Sequence, residues 1–115
     1  MSAKSSGNFK MGAEALEKVA AMFRVLGEEG RLSLLQELQT GENTVGELVE
    51  ASGQGQASVS KHLKLMFDAG LVSRRKEGVK VFYSLKDETV FSLCHLVCGK
   101  LNKDQKSRGE IDYSI

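Results

Sequence analysis

The chain has 115 residues, 41% of them hydrophobic and 27% charged, with a formal net charge of +1. That length and balance fit one globular domain with a modest core, and they exclude a low-complexity or strongly charged disordered chain. No run approaches the roughly 20 apolar residues that span a bilayer, and the opening MSAKSSGNFK lacks the apolar segment of a secretory signal, so a cytoplasmic protein without a membrane partner is expected.

Residues 1–10 are rich in Ser, Lys and Gly without periodicity and read as a flexible arm. A helical period then begins, with Leu16, Val19, Ala20, Phe23 and Leu26 on one stripe and Gly27 as its C-terminal cap. Leu32, Leu35 and Leu38 mark a second, shorter helix that stops near Thr40-Gly41. Thr44 and Glu47 have capping-box spacing, so a third helix starts there, turns Val45, Leu48 and Val49 inward, and closes at Ser52-Gly53. The turn Gln54-Gly55 leads into a fourth helix over 56–69, with Val59, Leu63, Met66 and Phe67 toward the core and Gly70 at its end. Next, Val79, Val81, Tyr83 and Leu85 alternate with Lys80, Phe82 and Ser84, and Glu77-Gly78 supplies a tight turn, which predicts a β-hairpin with a basic tip. Asp87 is the expected N-cap of a last helix, and residues 103–115 return to polar, nonperiodic sequence, read as a flexible tail. The ordered domain is expected over 11–102.

The small net charge conceals an asymmetry. Between Glu28 and Glu50 the acids face Arg31 alone, whereas between Lys61 and Lys86 the bases face only Asp68 and Glu77. A short helix, a Gly-containing turn and a longer polar helix fit a helix-turn-helix, whose second helix lies in the DNA major groove. The basic hairpin directly after it makes this a winged version: mainly α, with a β-hairpin wing. The candidate DNA contacts on the groove helix are Gln56, Ser58, Ser60, Lys61 and Lys64, since such side chains hydrogen-bond base edges or phosphates. On the wing they are Arg74, Arg75, Lys76 and Lys80. A lone Lys-x-x-Lys is usually a solvated helix face, but turn, polar helix and basic hairpin occur together here. His62, at the edge of the apolar face, is expected to be a hydrogen-bonded boundary residue, ahead of a phosphate contact.

From Leu26 to Leu101 the chain resembles the ArsR/SmtB family of bacterial winged-helix repressors. The likeness rests on VLGEEGRLSLLQEL, VGELVEASG and SVSKHLKLMFDAGLVSRRKEGVKVFYSL. It implies a homodimer built from the first and last helices, a double-stranded DNA operator as partner, and release from DNA by a metal ion or oxidant. The interface would use Leu16, Val19, Phe23, Val90, Phe91, Val97 and Leu101; an exposed apolar helix at either end of so short a chain also invites a second copy. The family's thiol site near the third helix needs cysteines where Glu47 to Ala51 has none. Of its last-helix zinc site only Asp87 is matched, with Thr89, Lys100 and Lys103 elsewhere.

The remaining effector candidates are Cys94 and Cys98, one helical turn apart, with His95 beside them. They serve either as packing residues of the interface stripe or as a thiol sensor for an oxidant or a soft ion. No cofactor is required by the sequence, and no particular metal is specified. Three further functions compete: a winged-helix module that binds protein, a DNA binder with no effector, and an enzyme. The last lacks any Gly-rich phosphate loop, metal-ligand cluster or activated nucleophile.

Overall fold

The computed structural model describes residues 10–105 and 111–115. Five helices and three strands follow in the order α1 (Ala13–Leu26), α2 (Glu29–Leu38), β1 (Asn43–Thr44), α3 (Val45–Ser52), α4 (Gln56–Asp68), β2 (Val72–Glu77), β3 (Lys80–Leu85) and α5 (Thr89–Asp104). Apart from Lys10, the expected arm lies outside the described residues.

The helix boundaries have local causes. The Glu28 carboxylate accepts from the Arg31 amide at 3.2 Å and opens α2. At α3 the Thr44 hydroxyl accepts from the Glu47 amide at 3.1 Å while the Glu47 carboxylate accepts from the Thr44 amide at 2.8 Å, so the capping box forms in full. The end of α4 is a Schellman turn: the Leu71 amide donates to the Met66 carbonyl at 2.9 Å and the Gly70 amide to the Phe67 carbonyl at 3.0 Å. Gly70 sits there at φ 79°, where a Cβ would be strained, and the turn aims the chain straight into β2.

The core joins α2, α3 and α4. Leu34, Leu35, Leu48, Val59, Leu63 and Met66 are entirely closed to solvent. On α4 the buried positions 59, 63 and 66 form one helical stripe, which leaves Ser58, Ser60, Lys61 and Lys64 outside. Helix α1 behaves differently, because it is open to solvent almost throughout and docks only by its last turn, where Leu26 is buried.

The antiparallel sheet has the order β1-β3-β2. Strand β1 was not anticipated: two residues show no alternation, yet Asn43 pairs with Tyr83 and Thr44 with Phe82. Glu77 pairs with Lys80, so the hairpin loop is Gly78-Val79 and not Glu77-Gly78. Val79 is therefore 97% exposed at the tip, and on β3 it is Tyr83 and Leu85 that pack against the core.

Helix α5 packs Val90 and Cys94 into the same core, at 5% and 8% exposure. Val90 thus leaves the expected subunit stripe, because α5 must use one line of side chains to dock on its own chain. Phe91 lies half-buried in a separate groove with Leu38 and His95. Asp87 caps as expected but one residue early, its carboxylate accepting from the Thr89 amide at 2.8 Å while Glu88 holds the N-cap position. The boundary expected at 102 falls inside α5. Residues 111–115 lie back along that helix, where the Asn102 side chain donates to the Tyr113 carbonyl at 2.9 Å and accepts from its amide at 3.0 Å.

Candidate nucleic-acid interface

Gln56, Ser58, Ser60, Lys61 and Lys64 are all exposed along one side of α4. Lys64 is held by Asp68 at 3.1 Å, four residues on, whereas Lys61 pairs with no carboxylate among the described residues. The helix begins directly after Gly55, and Gln56 stands at its N-terminal end, where main-chain amides are unpaired and the dipole favours anions.

Alternation along β2 separates the three wing cations. Arg74 and Lys76 share a face with Val72, and Arg74 lies over the Phe67 ring of α4 with its guanidinium 4.1 Å from the ring centre. Arg74 thereby seats the wing against α4. Arg75 points the other way. It lies over Phe82 at 4.6 Å, donates to Glu42 through two bonds of 2.8 and 3.0 Å, and donates to Glu77 at 3.1 Å. The Arg75 hydrogen bonds hold the Glu42 carboxyl below the usual carboxylate range. These bonds brace the sheet from β2 across β3 to the residue before β1, with Arg75 still half exposed. Lys80, paired across the hairpin with Glu77, shares that outer face, near the wing tip.

A polar cluster behind α4 has no signature in the sequence beyond His62 itself. Arg31 of α2 donates through Nε to the Val25 carbonyl at 2.6 Å and through Nη2 to the Arg24 carbonyl at 3.3 Å, closing the end of α1. Its Nη1 meets His62 Nδ1 at 3.2 Å. The other ring nitrogen of His62 is 3.7 Å from Glu28 Oε1, and the ring is only 13% exposed. Gln54, from the turn before α4, donates to the Gly30 carbonyl at 3.0 Å. These side chains close over Gly30 so tightly that a Cβ there would lie 2.8 Å from His62 Nε2, 2.9 Å from Gln54 Oε1 and 3.0 Å from Glu28 Oε1. His62 is a hydrogen-bonded boundary residue, as expected.

Cys94 and Cys98 are thiols that line an apolar cavity of about 340 Å³ with Phe23, Leu32, Leu101 and Ile115. Burial, and then the neighbouring Cys98, push the Cys94 thiol pKa up. His95 does not join them: it turns to the opposite groove, its Nε2 3.0 Å from the Ile115 carbonyl oxygen. No group of three His, Cys, Asp or Glu with metal-site geometry occurs among the described residues. The same cavity opens between apolar residues left bare in one chain, with Phe23 at 56% and Val97 at 51% exposure and Leu101 beside them; Leu16 and Val19 of α1 are exposed as well. No helix among the described residues is long and apolar enough to cross a membrane.

Residues 28–74 match a model described as bacterial regulatory protein, arsR family. The chain is 42% identical over 80 residues to the probable mercury resistance operon repressor of Streptomyces lividans, a span of 70% of this chain and 64%, just under two thirds, of that relative. It is 35% identical over 82 residues to the arsenical resistance operon repressor of Bacillus subtilis (strain 168), covering 70% of this chain and 78% of that one. Among solved structures, a homodimeric winged helix-turn-helix DNA-binding domain from Mycobacterium bovis superposes with a TM-score of 0.71 at 28% identity, covering 93% of this chain and 97% of that one.

Proposed function

The chain belongs to the arsR family of bacterial regulatory proteins, and from that premise we infer a homodimeric transcriptional repressor that binds operator DNA through α4 and the β2–β3 wing. The observation that carries the assignment of surfaces is the exposure of Gln56, Ser58, Ser60 and Lys61 along one side of α4, with Arg74 of the adjoining wing seated against the same helix. A helix presenting such side chains can enter the major groove and meet base edges, while the wing cations meet phosphates. Homodimerisation follows the bare apolar surface of α1 and α5, since Leu16, Val19, Phe23, Val97 and Leu101 have no cover in one chain. A regulator of this kind acts where the bacterial chromosome is, in the cytoplasm.

DNA binding is tested by titrating the full chain against labelled duplexes at increasing salt. Affinity for DNA should fall steeply through counterion release, whereas a winged-helix module that binds protein through apolar contact should show little slope.

The effector assigned to Cys94 and Cys98 is a soft, thiophilic ion or an oxidant. Support comes from two thiols at one cavity beside the expected subunit contact, and from relatives named for mercury and arsenical resistance. Two neighbouring sulfurs suit a soft, thiophilic ion that accepts few thiolates. Such an ion would bind the two cysteines after they lose their protons. A change in their separation or bulk would shift α5 against its partner and alter the spacing of the two α4 helices.

A further inference from the structure

Three helices meet at His62. Glu28 and Arg31 of α2 are the charged groups facing the ring, α1 contributes only the Arg24 and Val25 carbonyls that Arg31 grips, and the turn contributes neutral Gln54. Arginine has only N–H donors, so at 3.2 Å from Nη1 the His62 Nδ1 must be the acceptor and carry no proton. The bond therefore takes the Nε2–H form of the ring, with the ring proton toward Glu28. Protonating Nδ1 would set two N–H groups and two positive charges against each other in a part-buried site.

His62 is also placed to affect DNA contact. It lies between Lys61, on the outer side of α4, and Leu63, which is fully buried. Apolar packing at Val59, Leu63 and Met66 turns the polar side of α4 outward, and the Arg31–His62 bond adds a directional constraint between α4 and α2. The same Arg31 fixes the end of α1, the helix whose bare apolar side faces solvent.

We propose that His62 is a positioning residue of DNA binding, and that the Arg31–His62 bond makes DNA affinity fall when the imidazole is protonated. This rests on the DNA-binding function inferred above. Its direction is diagnostic, because acidification adds positive charge and by itself strengthens binding to a polyanion.

The test uses the full chain and a fluorescent duplex selected by the wild type from a random-sequence library. At constant salt, affinity should fall about tenfold between about pH 7.5 and about pH 5.5, a range in which imidazoles can take up a proton. His62→Gln, whose amide oxygen accepts from Arg31 and does not titrate, should bind well at both values and lose the pH response. His95→Gln should retain it. Gly30→Ala, which crowds His62, Gln54 and Glu28 without touching the apolar core, should keep its circular dichroism spectrum and bind weakly at both pH values. Nitrogen-15 shifts of the wild-type ring should report the Nε2–H form at neutral pH. A wild-type affinity that stays level or rises on acidification, a response that persists in His62→Gln, or an Nδ1–H ring overturns the proposal. Failure to select any duplex overturns the DNA-binding function instead.

Discussion

Arg75 and Glu42, 33 residues apart, are joined by two hydrogen bonds of 2.8 and 3.0 Å that tie the outer strand of the wing to the residue preceding β1. The pair gives one of the four wing cations a bracing role in the sheet. Arg75→Ala should therefore lower the melting temperature slightly and loosen the hairpin while leaving the salt slope of DNA binding nearly unchanged. Lys61→Ala or Lys76→Ala should do the opposite, reducing the slope by about one unit with the fold intact. Anisotropy titrations at several salt concentrations, with thermal melts of each variant, separate the two behaviours; a full unit lost in Arg75→Ala would return that residue to the DNA face.

Dimerisation should depend on the bare apolar side of α1 and the outer line of α5. Phe23→Asp or Val97→Asp places a carboxylate where a partner would bury it unpaired, so each should give monomers by light scattering and lose affinity for a two-fold operator. Val90→Asp should behave differently. That residue is buried in its own chain, and the variant should unfold or aggregate instead of forming a folded monomer.

Thr44→Ala removes half of the capping box at α3 and should cost about 1 kcal/mol in urea unfolding. The effect should extend to the wing, because Thr44 is also the second residue of β1 and pairs with Phe82. Hydrogen exchange of the β3 amides should quicken in this variant.

The thiols should differ in reactivity. Cys94 is buried and its pKa is raised by that burial, whereas Cys98 is partly open, so alkylation at neutral pH should label Cys98 first. If the pair receives the effector, arsenite or an oxidant should weaken DNA binding of the wild type, and a chelating dithiol or reductant should restore it. The double variant Cys94→Ser, Cys98→Ser should bind DNA and ignore both; an undiminished response in it would make these residues packing only.

Acid stability should follow three carboxylates. Glu28 is held below the ordinary range by its bond from the Arg31 amide, Glu42 by the Arg75 side chain, and Asp87 by the Thr89 amide. A depressed folded-state pKa contributes stability that is present above the unfolded value, near 4, and lost as pH falls through the folded value. Through these three carboxylates the urea midpoint should decline below about pH 4. Asp87→Asn, which keeps an acceptor for Thr89 but no charge, should flatten part of that decline.

The sequence alone determines the helices and their ends, because the spacing of Val59, Leu63 and Met66, the Thr44–Glu47 capping box and the glycine at 70 are local properties that act within a turn or two of chain. It also determines the turn-helix-wing order, and the exposure of Gln56, Ser58, Ser60 and Lys61, since side chains off an apolar stripe face outward. What it could not assign are roles decided by partners distant in the chain. Arg74, Arg75 and Lys76 are nearly equivalent as a string of cations; only the pairing of β2 with β3, and of β3 with the short β1, puts Arg75 against Glu42 and Arg74 over Phe67. Val90 and Val97 look alike on one helix, and only the docking angle of α5 buries the first and leaves the second bare. The link between Arg31 and His62 likewise spans 31 residues with no spacing rule behind it. Hydrogen bonds and ion pairs need atoms within about 3 Å in a set direction, and for residues this far apart that condition is met by the packing of α2, α3, α4 and the sheet as a whole.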